Sequence, residues 1–383
     1  MSIFLWILAL LTFAYALIIL GLCFGFRRLK RRVEQNESEF RNAEIPHVSI
    51  VVAARNEEQN VPALLAALAS QDYPKDKFEI IIVDDRSEDG TWSLLTQAQQ
   101  TIPNLRPLQI EDRIANYAPK KRALDTGIRS STGEILLLTD ADCIPPPTWI
   151  SSMVAFYGKD VNVVAGYSPY RYIVSTPRLV EGMLSLDCFA WAAVAAASAG
   201  LGQPLTATGT NLSYRRRTYL EVGGFEPIKE WISGDDDLFM RRVAERKAGK
   251  FSYALDPASY VPTIAPRSLR QFWHQRIRFG SKGRHHSVPM TIGVAAVYLL
   301  NVMIVAGIGG VFFGATDLLG PLLIAWALKS LSEFLFLKQV ATAFKEEKLL
   351  FSFVPTAIVH PLYITLFGFL GLFGAFRWKE GRS

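Results

Sequence analysis

Residues 134–142 read Glu-Ile-Leu-Leu-Leu-Thr-Asp-Ala-Asp (EILLLTDAD). The apolar run does not alternate with polar residues, so a strand here is buried on both faces, as in a parallel sheet covered by helices on each side. It ends in two carboxylates, Asp140 and Asp142, placed to approach one hard cation. Ligands of open α/β sheets bind beyond the carboxyl ends of the strands. Two upstream segments repeat the pattern. His47 to Ala54 (HVSIVVAA) is a first strand, and Phe78 to Val83 (FEIIIV) is a second, running into Asp84-Asp85. Between and after them, Asn60 to Ser70 carries helical spacing at Val61, Leu64, Leu65 and Leu68, and Thr91 to Gln100 also reads as helix. The expectation is an α/β fold with a Rossmann-like, mostly parallel sheet, occupying residues 46–266.

Outside this domain the chain is apolar in blocks. The protein has 383 residues, 50% of them hydrophobic. Ile3 to Phe26 is 24 residues without a charge, Val288 to Thr316 is 29, and Leu349 to Phe376 is 28 with only His360 interrupting. About 20 apolar helical residues span a bilayer core. Intrinsic disorder, a collagen repeat and a disulfide scaffold are excluded by the same composition. The three cysteines, Cys23, Cys143 and Cys188, match no zinc or redox spacing.

The net charge of +6 divides into +5 at Arg27–Arg32, +2 over residues 288–383 and −1 over residues 33–287. Basic charge therefore belongs to the membrane flanks, which argues against a nucleic-acid surface on the folded domain. The cluster after the first apolar run keeps its side cytoplasmic by the positive-inside rule. The expected organisation is an N-terminal membrane anchor (1–27), a basic and polar linker (28–45), a cytoplasmic α/β domain (46–266), an amphipathic interface helix (267–287) and a C-terminal membrane region (288–383). That last region holds segments near 288–314, 318–337 and 349–376, and the whole is an integral protein of the cell's inner membrane. Within it, Lys329 and Glu333 share one helix face; the pair either faces protein or a wet cavity, or marks a helix at the interface. Pro355 and Pro361 leave a re-entrant last segment open, and Arg377, Lys379 and Arg382 favour an inside tail.

Several clusters invite both a structural and a chemical reading. Asp84-Asp85-Arg86-Ser87 with Asp89-Gly90-Thr91 is a strand end, a turn and a helix cap at Thr91, or a nucleotide contact. Gly234-Asp235-Asp236-Asp237 is an acidic helix start, or it holds a general base. Three adjacent acids repel unless a cation compensates. Thr206 to Asn211 (TATGTN) is a permissive loop. In Gln275-Arg276-Ile277-Arg278-Phe279, with Leu269, Phe272, Trp273 and Ile277 on one face and the arginines on another, the helix anchors to a membrane surface or an arginine grips a diphosphate. Ala190 to Ala199 is an acceptor-side helix or plain packing.

Taken in order, these segments resemble the membrane-bound family 2 glycosyltransferases of the GT-A fold, from about residue 47 to 287. VSIVVAARNEEQNVPALLAALASQDYP is similar to that family's first strand and helix, which implies nucleotide-sugar contacts at Ala53, Arg55 and Glu57. EIIIVDDRSEDGT places Asp85 on the base or ribose, and KKRALDTGI is similar to Lys-x-x-Ala-Leu-Asn-x-Gly and places Lys120 in the same site. LLLTDADC is similar to the metal-binding Asp-x-Asp, implying Mg²⁺ or Mn²⁺ on Asp140 and Asp142. TGTNLSYRRRTYLEVGGF implies an acceptor side at Thr208, Gly209 and Thr210. SGDDDLFMRR is similar to Thr-Glu-Asp-x-Asp-Leu, making Asp235 the base with Asp236 as the other candidate. QRIRF is similar to Gln-x-x-Arg-Trp and implies that Gln275, Arg276 and Arg278 lie at the donor diphosphate. Gly234 stands where the family often has Glu, and Phe279 where the motif has Trp. The resemblance implies an inverting hexosyltransferase using a nucleotide-diphosphate sugar, a UDP-sugar, and a membrane lipid or lipid-linked acceptor, with no nucleic acid. A processive polysaccharide synthase and a degenerate transferase subunit are the alternatives.

Overall fold

The computed structural model describes residues 2–40, 44–281, 288–373, 377–378 and 381–382. Residues 41–43 of the expected linker, residues 282–287 at the end of the expected interface helix, and Lys379 of the basic tail lie outside them. The described chain forms two compact units. One contains residues 25–171 and 191–265, the other residues 1–24, 172–190 and 266–383.

The first unit is built on a seven-stranded sheet. Its strands are β1 (Val48–Ala54), β2 (Phe78–Asp85), β3 (Leu105–Ile110), β4 (Ile135–Leu138), β5 (Val161–Gly166), β7 (Leu212–Arg215) and β8 (Lys250–Ala254). A short strand, β6 (Tyr170–Arg171), pairs instead with β9 (Thr263–Ile264). The order across the sheet is β3-β2-β1-β4-β7-β5-β8. All neighbours are parallel except β7, which runs antiparallel to both β4 and β5. Ile50, Val51, Val52, Ile80, Ile81, Ile82, Leu136 and Leu137 have no exposed surface, the two-sided burial that their unalternated runs imply.

Helices α2 (Val61–Ala69), α3 (Thr91–Gln99) and α4 (Pro119–Ser130) connect the first four strands. Proline at the first position of α4 presets the helical φ. A Cβ on Gly127 of α4 would lie 2.6 Å from a methyl of Val51, so glycine lets this helix press onto β1. Helices α5 (Trp149–Ala155), α7 (Arg216–Glu221) and α8 (Asp237–Glu245) complete the cover.

The linker expectation is corrected. Helix α1 runs unbroken from Ser2 to Phe40. Beyond Gly25 it is a structural part of the α/β unit: Phe26, Leu29 and Val33 are buried, and the Arg32 guanidinium donates to the Phe251 carbonyl at 2.9 Å. Helix α6 (Arg178–Leu201) contains the alanine-rich stretch. Ala193, Ala195, Ala196, Ala197 and Ala199 are buried, so the stretch packs. A Cβ on Gly200 would sit 1.9 Å from the Gly25 carbonyl oxygen, a backbone approach that small residues allow.

The second unit holds the amphipathic helix α9 (Leu269–Ser281) and the apolar helices α10 (Val288–Phe312), α11 (Leu319–Phe344) and α12 (Phe353–Phe373). Among the described residues five helices are long and apolar enough to cross a membrane: α1, α6, α10 and the segments containing α11 and α12. Helix α12 continues through Pro361. Lys329 faces protein. Its ammonium lies 2.8 Å from Glu333 and 3.0 Å from His360 Nδ1, and the Tyr15 hydroxyl donates to the same Glu333 oxygen at 2.5 Å. Of the α9 arginines, Arg276 is 3% exposed and pairs with Asp187 of α6 at 2.5 Å. The rings of Phe272 and Tyr363 also face this guanidinium, and Gly280 of α9 closely approaches Gly371 of α12.

Candidate active site

The strand ends and the loops beyond them gather one polar cluster. Asp140 lies two residues past the end of β4, Lys120 lies on the first turn of α4, Gly209 and Thr210 precede β7, and Asp235 and Asp236 precede α8. The Lys120 ammonium lies 2.7 Å from Asp140 Oδ1 and 2.9 Å from Asp235 Oδ2. The Thr210 hydroxyl donates to the other Asp140 oxygen at 2.9 Å. Burial opposes the charged form of Lys120, but the Asp140 and Asp235 carboxylates more than offset it and hold the ammonium above its ordinary value.

Three adjacent acids take three different partners. Asp235, 12% exposed at its side chain, faces Lys120. Asp236 accepts from the backbone N–H of Asp237 at 2.7 Å and of Gly209 at 3.3 Å. Asp237 accepts from the Ala207 N–H at 2.7 Å and the Thr206 hydroxyl at 3.2 Å. Gly234 has φ +96°, and a Cβ there would meet Leu238 at 2.5 Å. Glycine therefore fits this position for a steric reason, and the turn it makes leads the chain into Asp235.

The other predicted residues are placed less simply. Asp85 is buried at the end of β2, and both its oxygens accept from the Arg86 guanidinium, at 2.8 and 3.1 Å. Glu57 is buried in the loop after β1, where its Oε2 accepts from Asn60 and its N–H donates to the Thr91 hydroxyl. This loop is laced to the one after β2, since the Asn56 N–H donates to the Ser87 hydroxyl and the Glu58 N–H to the Asp89 carboxylate. Thr91 is not a cap; it is the first helical residue, and Asp89 accepts from its N–H and hydroxyl. Ala53 and Arg55, at the end of β1, are half-buried. Thr208 is half-buried beside Gly209. Gln275, Arg276 and Arg278 belong to the helical unit, where Arg276 has Asp187 as its partner.

Two buried residues carry no local sequence signal. Asn211, fully buried, accepts from the Trp149 indole at 3.0 Å and donates to the carbonyls of Tyr167 and Ser259. Lys121, also fully buried, donates to three carbonyls of residues 228–233. Cys143, between the strand-end acids and the core, is a filler. Burial, with Asp140 and Asp142 nearby, pushes its thiol far above the ordinary value.

Among the described residues no group of three or more His, Cys, Asp or Glu forms a cage for a metal ion. Mg²⁺ and Mn²⁺ sites that bind nucleotides do not need one, because one or two carboxylates act together with substrate phosphates. The donor set Asp140 plus Asp142 fits that chemistry, and Lys120 is the cation that Asp140 holds here.

The family model described as glycosyl transferase family 2 matches residues 49–217. The chain carries a family 2 glycosyltransferase domain. Relatives include Glycosyltransferase AglE of Haloferax volcanii, 36% identical over 129 residues, which are 33% of this chain and 41% of that protein. A beta-monoglucosyldiacylglycerol synthase of a Synechocystis species is 33% identical over 114 residues, 30% of this chain and 23% of the relative. The matches thus cover less than half of these relatives' lengths. A mannosyltransferase from Pyrobaculum calidifontis, solved with GDP-Man and Mn²⁺, superposes with TM-score 0.51 at 19% identity, covering 95% of this chain and 99% of that one. It shares the fold. The family 2 domain here is therefore a GT-A domain, α/β with a mostly parallel central sheet, accompanied by apolar helices toward both ends of the chain.

Proposed function

We propose that the protein is an inverting hexosyltransferase that moves a sugar from a nucleotide-diphosphate donor, a UDP-sugar, to a membrane lipid or lipid-linked acceptor at the cytoplasmic face of the cell's inner membrane. The observation that carries this reading is the Lys120 bridge. One ammonium joins Asp140, at the strand end where a diphosphate binds in such sheets, to Asp235, the carboxylate suited to act as base. Donor and acceptor chemistry thus meet within one side chain's reach. The name of the Synechocystis relative, a glucosyldiacylglycerol synthase, supports a lipid acceptor, as do the long apolar helices.

In this reading Asp235 takes the proton of the acceptor hydroxyl as its oxygen attacks the anomeric carbon. The bond from that carbon to the diphosphate oxygen breaks, and the nucleoside diphosphate leaves with the electron pair. Configuration inverts because no enzyme nucleophile intervenes. Lys120 places positive charge beside the leaving group. Asp140 and Asp142 would hold Mg²⁺ or Mn²⁺, which supplies further charge against the developing diphosphate. Asp85 and Arg55 are the remaining donor-side candidates of the α/β unit, with Thr208 and Gly209 on the acceptor side.

The test is nucleotide release by detergent-purified protein given UDP-sugars and GDP-mannose one at a time, with Mn²⁺ or Mg²⁺ and total membrane lipid. Release that requires both metal and lipid, with label recovered in a lipid, supports the proposal and names the donor. Release without lipid indicates a polymer synthase or hydrolysis. No release and no metal-dependent UDP binding sinks the enzymatic reading.

A further inference from the structure

Two adjacent lysines open α4, and they do different things. Lys120 meets carboxylates. Lys121 has no exposed surface, and its ammonium donates to the carbonyls of Ile228 at 2.9 Å, Trp231 at 2.5 Å and Ser233 at 2.9 Å. An ammonium carries three N–H donors in tetrahedral arrangement, so it can draw three carbonyls of one loop around a single point. An apolar side chain could fill the same volume at no desolvation cost. What only a cation with several donors supplies is control over where those carbonyls point.

The loop held in this way leads directly into Gly234 and Asp235. A second tie holds it to the same helix start, because the Ala118 N–H donates to the Lys229 carbonyl at 2.7 Å. The far side of the loop is open to solvent, where Trp231 and Ile232 are 50% and 41% exposed. The base is consequently located from below, by the first turn of α4, both directly through Lys120 and indirectly through the carbonyls that Lys121 collects.

We infer that Lys121 is a positioning residue for Asp235: its buried ammonium, bound to the Ile228, Trp231 and Ser233 carbonyls, sets where the base stands. The inference rests on the proposed role of Asp235. It requires no contact between Lys121 and either substrate.

The experiment uses the full-length protein in detergent with the donor that supports lipid-dependent nucleotide release. Lys121→Met should lower kcat by about 100-fold, the scale expected when a catalytic group is displaced by about 1 Å. The donor KM and the affinity for UDP with Mn²⁺ should stay within about twofold, because donor-binding groups are untouched. In an Asp235→Glu background, where the carboxylate is already displaced, Lys121→Met should cost less than about threefold, the non-additivity expected of coupled residues. Equal loss in both backgrounds, or a donor KM that rises in step with the fall in kcat, overturns the role of Lys121 while leaving the base assignment intact. If Asp235→Asn retains turnover, the base assignment fails and this inference falls with it. Should Lys121→Met fail to fold, Lys121→Gln, which keeps an amide donor, is judged by the same comparison.

Discussion

The Lys120 ammonium stands 2.9 Å from the Asp235 carboxylate, although the two residues are separated by more than a hundred positions in the chain. The same ammonium contacts Asp140 at 2.7 Å. Without it, two carboxylates would face one another across a partly buried space, where like charges are costly. Lys120→Met should therefore reduce turnover by about 100-fold or more and weaken UDP binding, with Lys120→Arg keeping part of both. Because folding raises the Lys120 pKa, its favourable contribution is complete below the ordinary lysine value and is lost only as pH rises through the raised value. The Lys120→Arg and native enzymes should then have parallel pH profiles between about pH 6 and about pH 9. A limb unique to the native enzyme in that window would contradict the assignment.

The three acids before α8 should separate by function. Asp235→Asn should lower turnover by about 1,000-fold or more with UDP affinity preserved, the effect of deleting a general base. Asp236→Ala should retain substantial turnover and lose about 1 kcal/mol of stability, because its oxygens accept from backbone N–H groups, that of Asp237 as the cap of α8. Side-by-side kinetics and thermal unfolding decide, and the reverse ranking would move the base to Asp236.

Asp140→Ala removes the carboxylate that Lys120 and Thr210 both hold. Calorimetric titration with UDP should show binding to the native protein that strengthens with Mn²⁺ and loses that gain in EDTA. The variant should show no gain from Mn²⁺. An undiminished response to the metal would detach it from this strand end.

Glu79 offers a stability test with a defined pH sign. Burial would raise its carboxyl, but the Ser49 hydroxyl, the Thr132 N–H and hydroxyl, and the more distant Arg106 outweigh that and lower it. Its oxygen Oε1 accepts from Ser49 at 2.6 Å and from the Thr132 N–H at 2.6 Å. A lowered carboxyl stabilises the fold above its ordinary range, and the contribution fades as pH falls through the lowered value. Glu79→Gln should cost about 1–2 kcal/mol at neutral pH, and the gap should close in acid. A gap that widens in acid would refute the assignment.

Gly200→Val should be among the most damaging substitutions. Its Cβ would fall 1.9 Å from the Gly25 carbonyl, so α1 and α6 must separate locally. The expected loss is about 3 kcal/mol or more, at the upper end for overpacking. It is read as a drop in detergent melting temperature, whereas Gly202→Ala, with no atom within reach, probes only the positive φ at that position.

Much of the architecture was legible without coordinates, and for a local reason. Strands such as FEIIIV and EILLL report two-sided burial through unbroken apolar runs, and the acids that end them mark where a ligand binds. Long uncharged runs likewise report membrane-length helices through hydropathy alone. These signals depend on each residue's own chemistry and its near neighbours.

Pairings over long separations depended on the tertiary structure. Nothing in KKRALD says that Lys120 turns to carboxylates and Lys121 to carbonyls; the helix start and the 228–233 loop must first meet. Arg276 read as a diphosphate ligand from its motif, but the fold supplies Asp187. Residues 28–45 read as a basic and polar linker, yet the helix persists through Phe40, and Leu29 and Arg32 find partners in the α/β unit. A polar or charged side chain does not encode its partner. It encodes only the cost of being buried without one, and the packing of distant segments decides which group meets that need.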